Sequence, residues 1–88
     1  MIRKELVILN KLGLHARAAA KFVKCASCFA SEITIAKDAI KVNGKSIIGV
    51  LLLAAPRGSQ LILEADGSDE EAAAAAVAAL VSDRFGED

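Results

Sequence analysis

Eighty-eight residues, 55% of them hydrophobic and 25% charged, suit one small folded domain spanning 1–88 and exclude a disordered chain. No apolar run approaches the roughly 18 residues of a membrane span. The opening Met1-Ile2-Arg3-Lys4-Glu5-Leu6 lacks the apolar core of a signal peptide, so a cytoplasmic location is expected. Formal net charge is zero, yet residues 1–45 carry nine Lys or Arg against three acids, and residues 46–88 carry two Arg against eight acids. If the halves of the sequence are halves of the molecule, the first would draw phosphate and acidic partner surfaces.

Residues 2–9 alternate as a first strand, with Lys4, Leu6 and Ile8 on one face and Glu5, Val7 and Leu9 on the other. Residues 10–14 form a loop. From Ala16 a helix is expected to run to about Phe29, because Ala19, Phe22, Ala26 and Phe29 recur at steps of three and four. Arg17, Lys21, Lys24 and Cys28 mark its opposite face. Residues 32–37 read as a second strand, with Ile33 and Ile35 together and Thr34 opposite. A turn at Lys37-Asp38 leads to a short third strand around Ile40 and Val42, closed by the turn dipeptide Asn43-Gly44.

The run Ile47 to Ala55 is apolar throughout, and its periodicity does not separate strand from helix. Ser46 favours a helix, since its hydroxyl can take up free N–H groups at the start. So short an apolar helix in so small a domain is expected to leave part of itself exposed as a docking patch, the alternative being burial on every side. After Pro56-Arg57-Gly58-Ser59, residues 60–65 read as a fourth strand. Ser68-Asp69-Glu70-Glu71 resembles a capping box opening a last helix from about Asp69 to Arg84, with Ala73, Val77, Leu80 and Arg84 along one side and Gly86 as its stop. Strand, helix, two strands, helix, strand, helix is the order of an α+β sandwich with helices on one face of an antiparallel sheet.

One stretch carries chemistry. Gly13-Leu14-His15-Ala16-Arg17 places the only histidine of the chain at the start of the first helix, with an arginine in the first turn. The first N–H groups of a helix have no partner within it, and the helix dipole favours an anion there by roughly 0.3–1 kcal/mol. The backbone N–H groups of Ala16, Arg17 and Ala18 and the guanidinium of Arg17 are therefore candidate phosphate ligands around a nucleophilic imidazole. A histidine that becomes phosphorylated and a histidine that merely caps a helix both satisfy this spacing. Cys25 and Cys28 form a Cys-x-x-Cys late in the helix. A redox motif of that kind normally opens a helix, and zinc would need more ligands than one His supplies, so no metal is expected and both are read as free structural thiols.

The Gly-Leu-His-Ala-Arg motif, its apolar helix and the later Lys45-Ser46-Ile47-Ile48-Gly49-Val50 together resemble HPr, the histidine phosphocarrier family of the bacterial phosphotransferase system. The resemblance runs over nearly the whole chain. One departure is Ala18, where many members have Pro; alanine retains an N–H donor at that turn. The resemblance implies an open-faced sandwich with strand order one, four, two, three and three helices on one side. It implies a phosphoryl group received from Enzyme I on Nδ1 of His15 and passed to a histidine of an Enzyme IIA domain, with Arg17 assisting. It implies a phosphocarrier and not a stand-alone catalyst, without a cofactor of its own, working in sugar transport. Ser46 matches the regulatory serine phosphorylated by HPr kinase/phosphorylase in bacteria that possess it. Ala16, Ala20, Lys24, Ile47, Ile48 and Leu51 match positions that meet partners. A monomer is expected, with no nucleic acid and no membrane insertion.

Three other readings share part of the pattern. A nitrogen-related phosphotransferase paralogue would have the same site. An acylphosphatase-like hydrolase would need an arginine in the 10–14 loop, which has none. An RNA-binding sheet would need strand aromatics, whereas Phe22, Phe29 and Phe85 all read as helical.

Overall fold

The computed structural model describes residues 1–87. Its elements are β1 (Ile2–Val7), α1 (Ala16–Ala26), β2 (Glu32–Lys37), β3 (Ile40–Asn43), α2 (Ile47–Leu52), β4 (Gln60–Asp66) and α3 (Glu70–Ser82), followed by a 3₁₀ turn at Arg84–Gly86. The four strands form one antiparallel sheet in the order β1-β4-β2-β3. This is the α+β open-faced sandwich expected from the alternation of short strands and helices.

Register explains which face is covered. Leu6 lies opposite Leu61, and Ile33 and Ile35 lie opposite Ala65 and Leu63. All six are buried, together with Ala19, Phe22 and Ala26 of α1, Val50 of α2, and Ala73, Val77 and Val81 of α3. The other face carries the row Arg3, Glu64, Thr34 and Asn43, polar and open. Because β4 lies between β1 and β2, the basic first half and acidic second half of the sequence interleave. Lys41 pairs with Glu64 across the sheet, for example. The two halves are not spatial halves, and no basic lobe results.

Several boundaries differ from expectation: β1 ends at Val7, two residues short of Leu9, and α2 stops at Leu52 within the apolar run. α1 stops at Ala26, three residues short of Phe29. Beyond it the N–H groups of Cys28 and Phe29 reach back only three residues. The Ser68 capping box does not form. The N-cap of α3 is Asp69, and its carboxylate instead crosses to the loop before β2, accepting from the N–H groups of Ala30 and Ser31 at 2.9 Å and from the Ser31 hydroxyl. Glu70, and not the Glu71 of the expected box, takes a backbone N–H, that of Gly67. α3 ends at Ser82, so Arg84 does not extend its side. Val81 and Phe85 fill the core where Leu80 and Arg84 were expected, with Leu80 half-buried and Arg84 exposed. Arg84, Phe85 and Gly86 all have positive φ, 56°, 56° and 72°. That bend turns the chain back toward the start of α1.

Among the described residues no helix is long and apolar enough to cross a membrane.

Candidate functional site

The site is assembled by the 10–14 loop, the first turn of α1 and the bend after α3. Gly13 sits at φ +70° with its N–H on Asn10 O at 3.2 Å, and Leu14 N–H donates to Ala55 O at 2.8 Å. This tight crossing brings the loop against the chain after α2 and fixes where α1 begins. His15 is the N-cap in extended backbone, φ −73° and ψ 177°, and its side chain makes no cap bond. Its carbonyl accepts the Ala19 N–H at 2.8 Å. The preceding N–H groups, of Ala16, Arg17 and Ala18, lie in the first turn where a helix offers no acceptor.

The imidazole is neither sunk nor free. Its side chain is 26% exposed. Nε2 lies 2.6 Å from Oε2 of Glu87, and Glu87 Oε1 accepts from Asn10 Nδ2 at 3.0 Å. Asn10 is buried and its Nδ2 also donates to Gly13 O at 2.7 Å. Its Oδ1 has no partner among the described residues. Burial raises the Glu87 carboxyl, but the hydrogen bonds from His15 and Asn10 and the nearby charge of Lys21 outweigh it, holding the group below the usual carboxylate range. An ionised carboxylate only accepts, so Nε2 must carry the proton in this contact. In a neutral imidazole held this way the lone pair is on Nδ1. Lys21 Nζ donates to Phe85 O at 2.6 Å and ties α1 to the bend that presents Glu87.

Arg17 is exposed in the first turn and makes no ion pair among the described residues. Ala16, Ala20 and Lys24 are exposed along α1, whereas the side chain of Ala18 is buried. On α2, Ile47, Ile48, Leu51 and Leu52 are exposed while Val50 and Leu53 anchor the helix in the core. The apolar helix therefore does expose a face, with Ile48 71% open. Ser46 is its N-cap, and Ser46 Oγ accepts from Gly49 N–H at 3.1 Å. α1 packs beside α2, so this face neighbours the His15 helix.

Asn10 and Glu87 were missed by sequence reasoning. Asn10 looked like an ordinary loop residue, and Glu87 lies 72 positions from the histidine it contacts. Only the left-handed bend at Arg84–Gly86 joins them, and no local pattern announces it.

The family model for the phosphorylation site of the HPr component of the phosphotransferase system matches residues 2–83. The phosphocarrier protein HPr of Neisseria meningitidis serogroup A is 48% identical over 87 residues, 99% of this chain and 98% of its own. That of Cupriavidus necator is 47% identical, with the same coverage. The crystal structure of HPr from Thermoanaerobacter tengcongensis superposes with a TM-score of 0.96 at 46% identity, covering 100% of this chain and 99% of that one. The fold and the half-buried histidine at a helix start are those of a small histidine-bearing carrier. The chain belongs to the HPr family, the phosphocarriers of the phosphotransferase system.

Proposed function

We propose that His15 accepts a phosphoryl group from phospho-Enzyme I on Nδ1 and passes it to a histidine of an Enzyme IIA domain. The observation that supports this reading is the Glu87 contact, which engages Nε2 and so leaves Nδ1 to act as the nucleophile, on the residue that caps α1. In the forward step the Nδ1 lone pair forms the new N–P bond as the bond to the donor breaks. Nε2 keeps its proton on Glu87 throughout. The N–H groups of Ala16, Arg17 and Ala18 and the Arg17 guanidinium stabilise the charge gathered on the phosphoryl oxygens. These are hydrogen bonds without a metal, strong enough to orient phosphate and weak enough to release it.

The exposed face of Ala16, Ala20, Lys24, Ile47, Ile48 and Leu51 receives both partners in turn. Basic and apolar groups together suit brief, fast complexes. Phosphorylation of Ser46 adds about −1.5 to −2 of charge on this face, where it opposes an acidic partner while favouring the start of α2. The chain works as a cytoplasmic monomer and carries phosphoryl groups without turning over a substrate itself.

The test is incubation with Enzyme I and radiolabelled phosphoenolpyruvate. Acid-labile label on the chain is expected, and none on His15→Ala. Label that survives in that variant overturns the assignment.

A further inference from the structure

The reactive groups outside the His15 site are two thiols at the far end of α1. By the rise of a helix they stand about 15 and about 20 Å along the axis from the histidine. The α-helical ladder ends at Ser27, whose N–H reaches Val23 O at 2.9 Å. The next two N–H groups reach back only three residues, Cys28 to Cys25 O at 3.1 Å and Phe29 to Ala26 O at 3.2 Å. Winding at three residues per turn stacks side chains i and i+3 on one edge, with a rise of about 2 Å per residue. The Cα atoms of Cys25 and Cys28 then stand about 6 Å apart, inside the range of about 4.4–6.8 Å that a disulfide spans.

The two thiols also differ in access. Cys28 is exposed and its Sγ leans back over the turn, donating to Lys24 O at 3.3 Å. Cys25 is half-buried. Burial first, then the neighbouring Cys28 sulfur, push the Cys25 thiol above the ordinary cysteine range. Such a pair divides into an outer thiol that meets the oxidant and an inner one that waits.

We propose that Cys25 and Cys28 are a site of reversible disulfide formation, with Cys28 attacking a low-molecular-weight disulfide such as glutathione disulfide and Cys25 resolving the adduct. The Cys28 thiolate attacks one sulfur of the oxidant. The oxidant's S–S bond breaks, and one glutathione thiolate leaves. The Cys25 thiolate then attacks the Cys28 sulfur of the mixed disulfide, expelling the second glutathione thiolate. The protein gives up two protons and two electrons, and both end on the two glutathione thiols formed. Closure displaces one weak bond, Cys28 Sγ to Lys24 O, in a turn already outside α1. The negative end of the helix disfavours thiolates, so exchange is slower than for pairs at helix starts. Exposure leaves the bond labile and readily reduced. This site stands independently of the phosphocarrier reading.

Folded protein is incubated with glutathione disulfide at mildly alkaline pH, quenched in acid and weighed intact. The expected product has lost two hydrogens and both maleimide-reactive thiols, and dithiothreitol restores them. Cys25→Ser is expected to stop at one glutathione adduct, on Cys28. Cys25→Ala takes its place if the serine variant loses its native circular dichroism. A parent chain that accumulates the same stable adduct as the Cys25 variant, or that keeps both thiols reduced, overturns the proposal.

Discussion

At the scale of single residues, the site depends on two side chains and one missing side chain. Gly13 lacks a Cβ where one would meet Ala55 O at 2.5 Å and Pro56 Cα at 2.9 Å. Its φ of +70° would cost an L residue about 1–2 kcal/mol before that clash is counted. Gly13→Ala is therefore expected to lower the urea midpoint and, by displacing the loop that ends at His15, to slow labelling as well; an unchanged midpoint would mean the loop yields freely. Glu87 acts differently, since it holds one nitrogen of the imidazole through Oε2 and the buried Asn10 amide through Oε1. Glu87→Ala is expected to leave His15 labelled but to reduce the labelling rate by about tenfold, the lower end of the loss that follows removal of an orienting hydrogen bond to a functional imidazole. Steady-state labelling by a fixed amount of Enzyme I at varied concentrations of the chain separates this from lost binding: kcat should fall and KM stay. A fall in KM-controlled affinity alone would make Glu87 a partner contact instead. The histidine and its arginine could be read from five consecutive letters, because a helix start is a local event. Glu87 could not, because its position is set by Phe85 burying in the core and Lys21 catching its carbonyl.

At the scale of elements, periodicity, joined for α2 by the Ser46 cap, located the strands and α-helices, and the errors fell at ends. Apolar spacing records which residues face the core. It does not record where the last turn loosens, as at Cys28 and Phe29. Nor does it say which neighbour a capping carboxylate will choose. Asp69 stands where a helix cap would stand, yet its oxygens close the gap between α3 and the chain before β2. α2 is the opposite case: Ser46 does what its sequence position suggests, capping a six-residue helix that two buried side chains hold in place. So short a helix has little cooperativity of its own, and its first bonds matter. Ser46→Ala is expected to cost about 1 kcal/mol in urea unfolding. Amide exchange should speed up within α2 and remain unchanged in β4. Equal acceleration across the sheet would show that α2 does not open as a separate unit.

At the scale of the whole molecule, the sandwich is closed by carboxylates that reach across long stretches of chain. The Ser31 hydroxyl, followed by the Ala30 N–H, holds the Asp69 carboxyl below its ordinary range, and Lys41 does the same for Glu64. Glu87 is held low as well, hydrogen bonds from His15 and Asn10 overriding its burial. In each case the folded chain binds a proton less readily than the unfolded one. The stabilisation is therefore complete above the unfolded carboxylate range of about 4 and is lost as pH falls through the lower folded values. The urea midpoint should be level from about pH 5 to 7 and drop below about pH 4. Asp69 joins residues 38 and 39 positions away, so its removal should test the linkage most cleanly. Asp69→Asn keeps the shape but binds no proton in this range. Its plateau should sit lower than the parent's and its decline into acid should be shallower, because one of the groups that takes up a proton on unfolding is gone. A variant that declines as steeply as the parent would place the acid sensitivity in Glu64, Glu87 and Glu70, which the N-terminal amine also holds low, and the clasp between α3 and the β2 loop would then be a matter of geometry and not of charge.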